Sequence, residues 1–271
     1  MPLTLTSLHV YPVKGCRGTS PAAALAQPRG FAGDRRWMII DDAGRFISQR
    51  SHRVLALVEA DLTAQALVLG APDRPVLSIP LDCDGGPARA GAACEATVWD
   101  DTVPAVDAGD VAAAWLHNVL GMPARLVHMP AATQRPVDPR YGAPGDEVSF
   151  ADGYPYLLVS TASLADLNAR LAKPLPMDRF RPNLVVDGCE PEAEDSWRRI
   201  RIGAVTFRLV KPCIRCTVTT IDQATGQPDG PEPLRTLAGY RTWQGGARFG
   251  MNVIAESEGV VRAGDEVTVL D

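Results

Sequence analysis

The chain has 271 residues, of which 46% are hydrophobic and 22% charged, and a net charge of −5. That balance describes a folded protein with a large core in one or two domains and excludes a disordered chain. The acidic excess argues against a nucleic-acid partner, which needs a basic surface.

The first residues, Met1-Pro-Leu-Thr-Leu-Thr-Ser-Leu-His-Val, lack the cationic-then-apolar order of a secretory signal. No apolar run reaches transmembrane length. The expectation is therefore a cytoplasmic protein without a membrane anchor. Leu3 to Val10 reads as a strand that ends at the Pro12–Gly18 turn. Arg36 to Asp41 reads as a second strand, turned by Asp42-Ala-Gly44 into Arg45 to Ser48 as a hairpin. Val54 to Leu62, Ala66 to Gly70, Val76 to Leu81 and Glu95 to Asp100 read as further strands. Asp110 is placed to cap a helix over 111–120 that Gly121 stops, with Val111, Trp115, Leu116 and Val119 on one face. The proline-marked stretch Pro130–Pro144 reads as a loop or linker. A second helix follows Ser163, with Leu164, Leu167 and Leu171 at helical spacing. Val205 to Val210, Arg215 to Ile221, Phe249 to Ala255 and Glu266 to Leu270 read as strands, and Pro233 to Tyr240 as a short helix. Twenty-three prolines and 24 glycines punctuate these short runs, so the fold class is β-rich α+β with many turns.

The six cysteines, Cys16, Cys83, Cys94, Cys189, Cys213 and Cys216, are sparse and unevenly spaced, which predicts free thiols and no disulfide framework. Cys213 and Cys216 lie three apart between Lys211 and Arg215, and neighbouring cations favour the thiolate, the form that binds metals and attacks electrophiles. Four readings stay open for the pair. It is a thioredoxin-like redox couple, although β-branched residues follow instead of a helix; half of a structural zinc site, although no second pair exists; a single thiolate ligand to a soft metal; or two packed, inert cysteines. His9, His52, His117 and His128 have no motif context and read as structural. Lys14 sits in a glycine-bearing turn after a strand, in Tyr11-Pro-Val-Lys-Gly-Cys-Arg-Gly18, where amides and an ammonium suit an anion. Arg35 and Arg36 alternate faces if they share a strand, so only one can face a site. Arg181 and Asn183, two apart before an apolar strand, point to one side and suit a phosphate or a purine-like ring edge. Asp152-Gly153 is a candidate source of turn amides near a helix start.

Tyr11–Gly18, Gly33-Asp-Arg-Arg-Trp37, Ser163–Asn168, Phe180-Arg-Pro-Asn183, Glu194-Asp-Ser-Trp197 and Arg215–Asp222, in that order over nearly the whole chain, resemble MOSC-domain proteins. The likeness is greatest to the mitochondrial amidoxime-reducing components and bacterial YcbX-type molybdenum oxidoreductases. The resemblance implies an N-terminal MOSC β-barrel region over 1–125 packed with a MOSC domain over 126–271. It implies a molybdenum cofactor, a molybdenum-pterin whose metal takes a further thiolate from Cys216, the catalytic and metal-binding residue. It places Lys14, Gly15, Arg35, Arg181, Asn183, Ile214, Arg215 and Asn252 around the pterin and its phosphate, with Asp152, Gly153 and Tyr154 holding phosphate through backbone groups. Gly15 stands where the mitochondrial proteins have serine, Gly153-Tyr154 where they have Thr-Ser, and Asn252 where they have tyrosine, so amide contacts must serve there. The implied activity is reduction of N-hydroxylated small molecules (hydroxylamines, amidoximes, N-hydroxylated bases). No cysteine-rich [2Fe–2S] extension is evident, so the electrons are expected from a separate reductase or small redox protein. The alternatives are a carrier of the cofactor or of a Cys216 persulfide, and a metal-free interaction domain.

Overall fold

A computed structural model describes residues 2–82, 84–88 and 91–271. Its largest sheet runs Thr4–Leu8, Leu184–Asp187, Tyr156–Ser160, Gly246–Ala255, Val205–Ile214, Arg199–Ile202, Val267–Val269, with Thr242–Trp243 paired onto Gly246–Ala255. The two edges meet. The Leu5 amide donates to Asp265 O and the Val267 amide to Leu3 O, both at 2.9 Å. The result is a nearly closed barrel, which leaves little edge unpaired. Period-two alternation fills it: Val205, Phe207 and Leu209 face the core while Thr206 and Arg208 do not.

The N-terminal half supplies a four-stranded sheet in the order Trp37–Ile40, Arg125–His128, Asp101–Asp107, Ala93–Val98, and a three-stranded meander Glu59–Leu62, Ala66–Gly70, Leu77–Pro80. Helix Asp110–Leu120 packs on its core through Ala112, Trp115 and Leu116. The halves are interwoven. Thr4–Leu8 pairs with Leu184–Asp187 and Ala23–Gln27 with Gly259–Arg262, while Arg125–His128 completes the N-terminal sheet. The fold is thus the expected strand-rich α+β, with three α-helices among the described residues.

Several elements differ from the sequence reading. Residues 215–221 are not a strand. The ladder ends at Ile214, and Cys216 precedes a 3-10 turn, Thr217–Thr220. Thr219 Oγ1 donates to Cys216 O at 2.9 Å and Thr220 Oγ1 to Thr217 O at 2.8 Å, local bonds that compete with sheet pairing. Arg53–Leu57 is likewise 3-10, and only Glu59–Leu62 is strand. Residues 45–48 make isolated bridges and no strand. In the first helix Gly109 is the N-cap and Val111 is exposed; Ala112 takes the core position. The second helix is Thr161–Ala169, capped by Ser160 Oγ, and Leu171 lies beyond it. The 130–144 stretch is no slack linker, because Arg135 is 3% exposed and donates to Ser149 O, Ala151 O and Asp152 O. Cys83 lies outside the described residues; the other five cysteines are free thiols.

Candidate active site

Where the N-terminal sheets meet the barrel, a cleft encloses roughly 840 Å³, open solvent at its mouth included. Three stretches of the chain build it: 14–50, 151–183 and 213–252. Lys14, Gly15, Arg35, Asp152, Gly153, Tyr154, Arg181, Asn183, Arg215, Cys216 and Asn252 all line it, as does Cys213. Ile214 does not line it; the residue is 42% exposed at the end of its strand.

The lining carries five cations, Lys14, Arg35, Arg50, Arg181 and Arg215, against one carboxylate, Asp152. In a chain of net charge −5, that concentration gives the cleft a positive field, which favours an anion. Each cation is held by a different device. Lys14 Nζ donates to Phe150 O at 2.7 Å and to Asp152 Oδ1 at 2.5 Å. Burial pulls the Lys14 pKa down to about 8, against the opposing charge of Asp152. Burial acts to raise the Asp152 carboxyl, but the Lys14 ammonium, then Arg50 and the Trp99 N–H, outweigh it and hold it well below the usual carboxylate range. Gly15, at φ +84°, makes the tight turn beside Lys14. Gln49 Nε2 donates to Gly15 O at 2.7 Å and is itself paired amide to amide with Gln223.

Arg35 and Arg181 sandwich the Tyr11 ring, their guanidinium carbons 4.4 and 4.3 Å from its centroid. Asp34, 1% exposed, accepts from Arg35 at 2.5 Å and from the Tyr11 amide at 2.8 Å. The Asn183 carboxamide is fully engaged: Nδ2 donates to His9 O and Asp34 Oδ1, and Oδ1 accepts from Arg35 Nη1 and the Leu157 amide. Asn183 therefore fixes Arg35 more than it offers bonds of its own. Arg181 sits at φ +51° after a 3-10 turn and donates to Cys16 O at 2.7 Å. Strand alternation thus plays no part in aiming it, nor in aiming Arg35, which has φ +47° and precedes the strand. Burial pushes the Cys16 thiol up to about 12, so it is inert near neutral pH.

Cys216 Sγ accepts from Arg50 Nη1 at 3.4 Å, and Cys213 Sγ from Arg215 Nη1 at 3.0 Å. Arg215 Nη2 also donates to Phe180 O at 2.7 Å. Arg179, 1% exposed, pins the turn after Cys216 by donating to Thr219 O at 3.4 Å and pairing with Asp229 at 2.5 Å and Asp222 at 3.3 Å. The Asp152 amides lie at the start of no helix, since strand Tyr156–Ser160 intervenes. Asn252 Nδ2 donates to Pro212 O at 3.4 Å. Arg50, Gln49, Ser48 and Trp99 escaped the sequence reading. In an arginine-rich chain an isolated arginine carries no signal, and no local motif surrounds these residues.

Family models match on both sides of this cleft. The MOSC N-terminal beta barrel domain matches residues 2–123 and the MOSC domain residues 145–268. The mitochondrial amidoxime-reducing component 1 of Homo sapiens is 34% identical over 98% of this chain and 83% of its own length. The chain belongs to the MOSC family. Among further MOSC relatives, the mitochondrial amidoxime reducing component 2 of Rattus norvegicus is 34% identical over 97% of this chain and 82% of its own. Component 1 of Danio rerio is 35% identical over 88% and 74%. No helix among the described residues of this MOSC chain is long and apolar enough to cross a membrane.

Proposed function

We propose that this MOSC protein holds a molybdenum-pterin through Cys216 and reduces N-hydroxylated small molecules, amidoximes and hydroxylamines among them. The observation that carries the reading is a single cavity that sets the Cys216 thiol among five cations and one carboxylate. A phosphate-bearing, dithiolene-bearing ligand matches that set, with phosphate against ammonium and guanidinium groups and a soft metal against sulfur. Among the described residues no cluster of three or more His, Cys, Asp or Glu can hold an ion. A metal here must bring most of its ligands with it, as a pterin dithiolene does. Tyr154 Oη and Arg215 Nε are buried without hydrogen-bond partners, and both belong to cavity-lining residues; such atoms call for a ligand. The relatives' name points to amidoximes as the substrate class.

Bound there, the cofactor supplies two-electron chemistry, in which the N–O bond breaks, two electrons and two protons are consumed, and amine or amidine leaves with one water. The chain's own part is placement. Lys14, Arg35, Arg181 and Arg215 neutralise and orient the anionic ligand, and Cys216 presents one thiolate. The electrons come from a separate reductase or small redox protein, and the expected compartment is the cytoplasm.

The test is Cys216→Ala in full-length protein, with metal and pterin measured per chain and N-reduction assayed with an artificial reductant. Loss of N-reduction in molecules that still contain pterin is the expected result. Undiminished turnover would refute the role of Cys216. A wild-type chain that carries no metal and no pterin, purified from a host that makes the cofactor, would refute the reading as a whole.

A further inference from the structure

We propose that Arg50, carried on the ring of Trp99, seats the N–O end of the substrate beside Cys216. This rests on the reduction proposed above and adds to it the residue that recognises the reacting oxygen.

Arg50 is the cation that reaches Cys216, with Nη1 3.4 Å from Sγ. Among the described residues its guanidinium makes no other hydrogen bond and no ion pair. Most of its five N–H donors are therefore uncommitted, and the residue lines the cavity. What holds it is aromatic. Its guanidinium carbon lies 4.4 Å from the Trp99 ring centroid and 5.8 Å from that of Phe46. Stacking orients a guanidinium while leaving its in-plane donors free.

Trp99 is unusual in its own right. It is the first residue of the two-residue connection between Ala93–Val98 and Asp101–Asp107, at φ +58°. Tight hairpins favour glycine at such positions. Its ring is large and apolar, yet the residue is 45% exposed. Two of its contacts are cleft residues: Nε1 donates to Asp152 Oδ1 at 3.2 Å and the ring meets Arg50, while the Phe46 ring lies 5.2 Å away. A strained backbone that carries an exposed indole gains nothing for the core, and such strain persists where a site uses it. In reduction of an N-hydroxylated compound, negative charge grows on the departing oxygen. A preorganised guanidinium next to the metal-ligating sulfur is the group that meets it.

The primary test is made on the full chain produced without cofactor. Cys216 is alkylated with iodoacetate or with neutral iodoacetamide, and the rate ratio is read by mass spectrometry. Arg215 separates the two thiols, so Cys213 and Cys216 fall on different tryptic peptides. Both reagents attack the same thiolate, so the ratio reports anion recruitment at the sulfur and not its protonation. The ratio should fall about five-fold in Arg50→Met, the scale of one nearby half-buried charge. It should fall similarly in Trp99→Gly, whose melting temperature should equal or exceed wild type because glycine accepts the left-handed turn. Arg50→Lys should keep much of the ratio. In loaded enzyme, Arg50→Met should lower kcat/KM for benzamidoxime several-fold, with part of the loss in kcat, at unchanged metal content. A wild-type ratio in both Arg50→Met and Trp99→Gly overturns the proposal. Absence of N-reduction in loaded wild-type protein would instead strike the parent reading, and the alkylation result does not depend on it.

Discussion

Lys14 gives the most quantitative expectation. In the unfolded chain it keeps its proton up to 10.5, whereas burial in the folded protein brings that value down to about 8. Below about 8 both states are protonated, and the folded state bears the whole cost of burying the ammonium, roughly 3 kcal/mol. Between about 8 and 10.5 the unfolded state binds more protons, so stability rises with pH, by up to ~1.4 kcal/mol per pH unit. Lys14→Met has no such group. The stability difference, wild type minus variant, should therefore climb by roughly 3 kcal/mol from about pH 7 to about pH 10.5. Tyr11 and Cys16, pushed by burial to about 12 in the folded protein, titrate inside this window only when unfolded, at 10.0 and 9.0; wild type and variant share that contribution, so it cancels in the difference. Urea unfolding of cofactor-free protein at a series of pH values measures the difference directly. Two stability curves running parallel across the window would refute the burial argument, as would a difference that shrinks with rising pH.

Arg179→Met should cost about 2–3 kcal/mol in urea unfolding, because it leaves Asp222, Asp229 and the Thr219 carbonyl without their shared donor; this lies below the ~3–5 kcal/mol of a fully buried pair because both aspartates are 28% exposed and Asp229 keeps Lys173. Gly250→Ala should lower the melting temperature by about 2–4 °C for each ~1 kcal/mol lost in a chain of this size, since its Cβ would sit 2.7 Å from both Leu158 O and Val159 Cγ2 at φ +77°; an unchanged melt would refute the clash. If the cleft holds the proposed cofactor, Arg181→Met should reduce metal and pterin per purified chain while leaving turnover per bound metal near wild type, because Arg181 lines the cleft but makes no hydrogen bond to Cys216.

Legibility from sequence followed how local each cause is. Strands such as Val205–Leu209 show their period in the residues themselves, and so does the Gly121 helix stop. Lys14, Arg35 and Arg181 stood out because each sits in a short run with a recognisable turn or resemblance. Residues 217–220 misled because threonine has two uses. It favours strands, and its hydroxyl also closes local turns, which is what happens after Cys216. Asn183 read as a ligand contact because its saturation by His9, Asp34, Arg35 and Leu157 depends on partners remote in sequence. Arg50 and Trp99 were invisible for the same reason. Arg50 acquires its meaning only against Cys216, 166 residues on, and Trp99 only against Arg50 and Asp152, each about fifty residues away.

The barrel seam has a consequence for biosynthesis. Thr4–Leu8 leaves the ribosome early, yet its neighbours on either side in the barrel, Leu184–Asp187 and residues 265–267, emerge late. Until residues 265–267 are translated the barrel wall carrying Cys216 cannot close, so a ligand of this cleft meets its complete frame only after that segment has emerged.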